Sequence, residues 1–358
     1  MKDIGSIFPL FGSDLKKTGS QTNIQVEDNT IQYSLCREAL LVIAESFPKE
    51  EKKVLLPAYT CDTVINPFKQ AGWECTYYPV DKTLRIDAEK TLGLYEENPM
   101  SLIVVHPYYG MDLNEKELAL LNELHGKGCK IVMDLTQCIF SSQNIDFVEY
   151  YVGSYRKWYE VPDGGFLKTK KKHDGLKKII PENEEFVSLQ TDSMFLRGLY
   201  FEEGNEEVKS ISRRLNKMAV EMVEQQIVPH AMASSSIALM KGMDMDRCQK
   251  QRFENYQFLY HLLKDMEEID LVCNDMEAVT TAPLYFPIYV KDRDALQTSM
   301  AAEHIYAPVL WPVTIEEVLV NDTIKTIYDT ILAIPIDQRY NQGDMDRVVE
   351  TIKHHYHD

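Results

Sequence analysis

The sequence predicts an α/β fold: a mostly parallel sheet flanked by helices in a large domain, followed by a smaller C-terminal α/β domain. Two observations carry this. In the first half, short apolar runs alternate with helical patterns, which is how strand-crossover-strand units read. After a helix-rich middle, the alternation resumes from residue 270 onward. At 358 residues the chain exceeds one average domain, so we place the large domain at 1–240 and the small one at 241–358.

In order, the helical patterns of the first half cover residues 39–47, 61–71 and 115–125. Strands are expected at 53–56, 75–80, 102–106, 130–133 and 150–154. A charged stretch, 168–185, reads as a solvated connection. Residues 194–263 are helical and rich in charge, and the acidic cluster at 202–207 reads as an exposed face, because no histidine stands at ligand spacing. Strands at 283–290, 306–310 and 331–336 and a closing helix at 344–354 complete the pattern.

The formal net charge is −18 and the pI near 5.0, so phosphate backbones and anionic membranes are excluded as partners. Seven scattered cysteines without a C-x-x-C pair fit a reducing compartment. With no signal-like N-terminus and no run of about 18 apolar residues, the expectation is a cytoplasmic protein. The closing His354, His355 and His357 read as a polar tail, since their spacing fits no standard metal site.

Chemistry concentrates in two segments. Lys130-Ile131-Val132-Met133-Asp134 is an apolar strand ending in a carboxylate, followed by Leu135-Thr136-Gln137. Taken alone, Asp134 is equally a helix cap. The second segment is Gly153-Ser154-Tyr155-Arg156-Lys157-Trp158, then Pro162-Asp163-Gly164-Gly165. A lysine among aromatics, after a strand and before a Gly-Gly turn, is placed to be desolvated into the neutral amine that a carbonyl electrophile requires. Amine and carboxylate together match the needs of pyridoxal 5'-phosphate (PLP): a Schiff-base partner, and a charge opposite the ring nitrogen that keeps it protonated. The phosphate needs backbone amides at a helix start, which Leu35-Cys36-Arg37-Glu38-Ala39-Leu40 is positioned to supply.

These segments resemble the DegT/DnrJ/StrS family of PLP-dependent, fold-type-I aminotransferases. The family's D-x-x-Q corresponds to Asp134 through Gln137, and its S-G-x-x-A-L helix start to Leu35 through Leu40. Its P-x-x-T corresponds to Pro57-Ala58-Tyr59-Thr60, and its V-H-x-Y-G to Val105 through Gly110 with one extra residue. Its lysine before G-D-G-G corresponds to Lys157. The resemblance implies that Lys157 carries the cofactor, Asp134 pairs with the pyridinium and Gln137 lies beside the ring. It further implies that the Cys36 and Arg37 amides hold the phosphate with the Ser154 hydroxyl; the family's ring-stacking aromatic falls where this chain has Cys61, so either Tyr59 or His106 takes its place or the stacking is lost. The implied protein is a homodimer moving an amino group from a donor such as glutamate to a keto acceptor, with a nucleotide-linked keto-sugar as the candidate class. The rival reading is a PLP-fold binding or scaffolding dimer without catalysis, resting on Cys36 and Cys61 in the cofactor segments.

Overall fold

A computed structural model of the protein describes residues 3–16, 29–170 and 181–357. Its centre is a seven-stranded sheet. Read across, the strands are Thr30–Tyr33, Gly165–Thr169, Tyr150–Ser154, Lys130–Asp134, Leu102–Val105, Lys53–Pro57 and Glu74–Tyr78. All pairings from Tyr150–Ser154 through Glu74–Tyr78 are parallel. Gly165–Thr169 alone runs against both its neighbours. The expected parallel sheet is therefore present. Its central strands read as continuous apolar runs because helices cover both faces, leaving Val54, Leu55, Ile103, Val104, Ile131 and Val132 without solvent exposure.

The expected helices form at Cys36–Glu45, Asp62–Gln70 and Glu115–Gly126. The last begins with a reciprocal cap: Asn114 Oδ1 accepts from the Glu117 amide (3.0 Å), and the Glu117 carboxylate accepts from the Asn114 amide (2.9 Å). A further helix, Ala88–Glu97, has no counterpart in the sequence-based reading, although Asp87 caps it through the Lys90 amide. The connection expected at 168–185 is partly strand and partly helix. Lys168 and Thr169 end the Gly165–Thr169 strand, Glu184–Glu203 is helical, and 171–180 lie outside the described residues. Glu184–Glu203 packs on Glu206–Glu224 across the left-handed Gly204, and Ser193 and Ser212 each donate a hydroxyl to the other's carbonyl at 2.8 Å.

In the C-terminal part, Asp270–Leu271, Tyr285–Tyr289 and Ile331–Pro335 form an antiparallel sheet. Helices Met245–Leu263 and Gln342–His357 pack together beside it. His355 in the closing helix contacts Ser299 and Asp292, each at 2.9 Å. The strand expected at 306–310 shrinks to Ile305–Tyr306, which pairs in parallel with Ile4–Gly5. Pro308, having no N–H, cannot extend the ladder, and Ala307, Pro308, Leu310 and Trp311 instead line a cavity.

Asp3 anchors that N-terminal strand. It is buried against Arg197 (2.6 Å), Lys209 (3.1 Å) and His304 (3.1 Å). Residues 5–8 are thereby drawn along the same cavity. Among the described residues, no helix is long and apolar enough to cross a membrane.

Candidate active site

The site forms where strands of the central sheet end. Asp134 closes the Lys130–Asp134 strand, His106 follows Leu102–Val105, Thr60 follows Lys53–Pro57, and Lys157 follows Tyr150–Ser154. Carboxyl ends of parallel strands are where such sheets place ligands. The turn carrying Lys157 is fixed to the turn carrying Asp134 by Trp158, which is fully buried. Its indole Nε1 donates to the Thr136 carbonyl at 2.8 Å, while its own carbonyl accepts from Arg252 (3.2 Å) and Gln338 (2.8 Å). Ammonium and carboxylate thus face one cavity from two anchored turns.

That inner cavity, about 220 Å³, is lined by Cys36, Arg37, Asp134, Gln137, Ser154 and Lys157, all marked out by the sequence. Asp134 Oδ1 accepts from the Thr136 amide (2.9 Å), so it does cap the short turn, and Oδ2 lies 3.4 Å from His106 Nδ1. His106 Nε2 lies 2.8 Å from Thr60 Oγ1. Gln137 Oε1 accepts from the Tyr109 amide at 3.2 Å, which fixes the glutamine on the shared wall of this cavity and the outer one described below.

Gly164 and Gly165 are required by close approach. Gly164 has φ +145°, and a Cβ on Gly165 would stand 2.4 Å from the Cys36 amide nitrogen. The turn after Lys157 therefore packs directly on the start of helix Cys36–Glu45. Asp163 is fully buried, and its carboxylate accepts from the Ala233 amide at 3.1 Å, so it serves the scaffold. Gly165→Ala should push the helix start away and lower the melting temperature by several degrees, because backbone atoms cannot yield as a flexible side chain does. An unchanged melting temperature by calorimetry would contradict this packing.

Tyr59 is not brought to the cavity wall. Its ring is buried against Tyr108, Trp311 and Tyr328, with centroids 5.1–5.5 Å away, and its hydroxyl bonds to Tyr109 and the Leu310 carbonyl. Of the two rings considered for stacking, His106 lines the cavity. Trp311 lines it too, contributed by the C-terminal part and backed by Tyr59. The sequence-based reading does not single out Trp311 or the Arg156 side chain, and it quotes Thr60 in a motif without giving it a role. For Trp311 the available signal was a large aromatic beside Pro308 and Pro312, in a segment too proline-rich to be a strand.

Burial raises the Cys36 thiol well above its ordinary value, and Asp134 adds to the shift; burial likewise raises Cys61. Both stay protonated, so neither is poised as a nucleophile. Burial also holds the His106 imidazole low, against the pull of Asp134. As pH falls through about 6.5, the unfolded chain gains a proton here that the folded protein does not. The stability from neutral His106 is therefore present above that pH and lost below it. NMR titration should place the His106 midpoint under 6.5; a higher midpoint would mean that the Asp134 charge outweighs burial.

A larger outer cavity, about 790 Å³, shares Gln137, Arg156, Lys157 and Trp311 with the inner one. Phe8, Gln190, Arg213, Tyr285 and Tyr306 are among its other lining residues. The arrangement is a small charged chamber opening past the lysine into a roomy vestibule.

The fold is that of the fold-type-I PLP-dependent aminotransferases. The architecture is similar to that of PseC from Helicobacter pylori, an aminotransferase involved in the biosynthesis of pseudoaminic acid (TM-score 0.66, 11% identity, covering 99% of each chain). It is equally similar to the aminotransferase TlmJ from Streptoalloteichus hindustanus (TM-score 0.67, 13% identity, 99% of each chain). NtdA from Bacillus subtilis, solved with bound cofactor PMP, has a TM-score of 0.64 at 15% identity, covering 98% of this chain and 78% of that one. No curated protein matches the sequence. Over residues 231–353 the sequence matches the model of the DegT/DnrJ/EryC1/StrS aminotransferase family.

Proposed function

We propose that the protein is a PLP-dependent aminotransferase that takes an amino group from a donor such as glutamate and delivers it to a keto acceptor, a nucleotide-linked keto-sugar being the favoured class. The observation that carries this is the single cavity joining Lys157 to the buried Asp134. The residues fit the cofactor: Lys157 would bind its carbonyl, Asp134 would face its ring nitrogen, and Cys36, Arg37, Gln137 and Ser154 would hold its remaining edges. Tyr59 would act from behind, by supporting Trp311. When bound, the cofactor supplies an electron sink for the substrate carbon. Lys157 Nζ would move the proton on and off that carbon, and the two anchored turns would keep amine and carboxylate apart.

PseC is described as an aminotransferase involved in the biosynthesis of pseudoaminic acid, and Spr1654 from Streptococcus pneumoniae as a putative sugar aminotransferase in its PLP form. Those descriptions and the size of the vestibule support a bulky acceptor. A scaffolding dimer is not favoured, because it would have no use for a lysine and a carboxylate held on one cavity. The direct test loads the protein as the pyridoxamine form and screens keto-sugar nucleotides against simple keto acids for its oxidation. Turnover with neither class would remove the proposal.

Gln190 should contribute to acceptor binding. It is 3% exposed, lines the vestibule, and its Nε2 has no partner among the described residues. A buried donor left unpaired is costly, so a substrate oxygen is its expected partner. Gln190→Leu should raise the acceptor KM about fivefold to tenfold with little change in donor KM. An equal rise in both would place Gln190 outside acceptor recognition.

We further propose a cytoplasmic homodimer, with the domain boundary at residues 240/241. A C2 dimer is the commonest assembly, and PLP bound only by the assembled state would stabilise it by mass action. Light scattering on dilute protein should show a larger dimer fraction with PLP than without. A monomer that binds PLP tightly would remove the shared-site part of the proposal.

A further inference from the structure

The inner cavity carries more positive than negative charge. Three cations, Arg37, Arg156 and Lys157, line it with one carboxylate, Asp134. That carboxylate is already engaged by the Thr136 amide and faces His106. The Arg156 guanidinium makes no hydrogen bond or ion pair among the described residues. Asp163 attracts it only at longer range, since its oxygens are taken by the Ala233 amide. Arg37 makes one long contact, Nη1 to the Val223 carbonyl at 3.4 Å.

Arg37 is also the second residue of helix Cys36–Glu45. A cation there opposes the positive end of the helix dipole. The residue before the helix, Leu35, offers no side-chain acceptor to the first-turn amides. The first-turn acid, Glu38, is turned to His230, accepting from its amide at 2.9 Å. Ser154 Oγ is held only loosely, by the Gly164 carbonyl at 3.4 Å. Burial and the like charge of Arg37 push Arg156 down to about 10. Two guanidinia beside an uncapped helix start are mutually repulsive unless an anion lies between them.

We infer that Arg37 and Arg156 are a two-sided guanidinium clamp for the phosphate of the cofactor, closing over the amides of Cys36 and Arg37. The inference rests on the PLP reading above and adds side chains that neither the sequence motifs nor the family resemblance assign to the phosphate. Arg156 lies on the wall between the two cavities, so the clamp also fixes the boundary between cofactor and acceptor space. Charge-assisted hydrogen bonds from guanidinium to phosphate have the strength and planar geometry for this role.

The test compares PLP with pyridoxal, which lacks only the phosphate, by titrating the full-length apoprotein and following visible absorbance. Arg156→Met should weaken PLP binding about tenfold or more, the equivalent of one charge-assisted contact. Pyridoxal affinity should change by less than about twofold, which also shows that the Lys157 site is still folded. Arg37→Met should behave alike, Arg156→Lys should recover part of the loss, and inorganic phosphate should compete with PLP in the parent protein far better than in Arg156→Met. Equal loss of PLP and pyridoxal would make Arg156 a structural residue and overturn the clamp. Unchanged PLP affinity with a raised acceptor KM would move Arg156 to the substrate and overturn it too. If the parent protein takes up neither compound, the PLP reading itself fails and the clamp with it.

Discussion

Lys157→Ala is expected to abolish the visible absorbance of covalently held PLP and to lower transamination by at least about a thousandfold. Two contributions vanish together: the amine that captures the cofactor carbonyl, and the base that moves the proton at the substrate carbon. Among the described residues, no other lysine lines the inner cavity. Lys168 and Lys170 lie at and just beyond the far end of the Gly165–Thr169 strand, and Lys170 pairs with Asp146 at 3.0 Å. The fold should survive, because Trp158 and the Gly164 carbonyl hold the turn independently of the lysine side chain. Absorbance and steady-state turnover, with a melting curve as control, check this. Substantial turnover in the alanine variant would show that the reaction does not pass through Lys157.

Asp134→Asn should leave PLP bound but slow the half-reaction about a hundredfold, equivalent to about 2.7 kcal/mol of barrier. The amide is nearly isosteric and still accepts the Thr136 amide proton, so the turn persists. What it lacks is the negative charge that keeps the ring nitrogen protonated, and with it the strength of the electron sink. Stopped-flow measurement of the donor half-reaction, beside PLP affinity by absorbance, separates chemistry from binding. Near-normal rates would reduce Asp134 to the turn cap that its Thr136 bond also makes it.

Much of this architecture is legible in the sequence, for a physical reason. Strands such as Leu102–Val105 and Lys130–Asp134 are covered on both faces, so they appear as short unbroken apolar runs. Gly165–Thr169 escapes notice because Lys168 and Lys170 give its end the look of a solvated connection, although Leu167 is fully buried. Ala88–Glu97 buries only Thr91 and Tyr95, too few positions to print a clear helical period. Within the site, Asp134, Gln137, Ser154 and Lys157 are legible because each follows a strand in a spaced motif. Trp311 is not, since only tertiary folding brings it across to Tyr59. The Arg37–Arg156 pair is hidden for the same reason: 119 residues separate them, and nothing local marks either as unpaired. Tyr59 shows the converse. Its motif is present, yet the ring turns inward, because Tyr108, Trp311 and Tyr328 offer it a complete aromatic box.

The most direct measurement is peptide mapping after borohydride reduction of the PLP-loaded protein. Reduction fixes the cofactor to whichever amine holds it, so mass spectrometry reads the site without reference to turnover or acceptor. The pyridoxyl adduct is expected on the peptide containing Lys157, at close to one per chain, and should disappear in Lys157→Ala. An adduct on Lys168 or Lys170, or a protein that remains colourless and unlabelled at saturating PLP, would contradict the assignment of this cavity as the cofactor site.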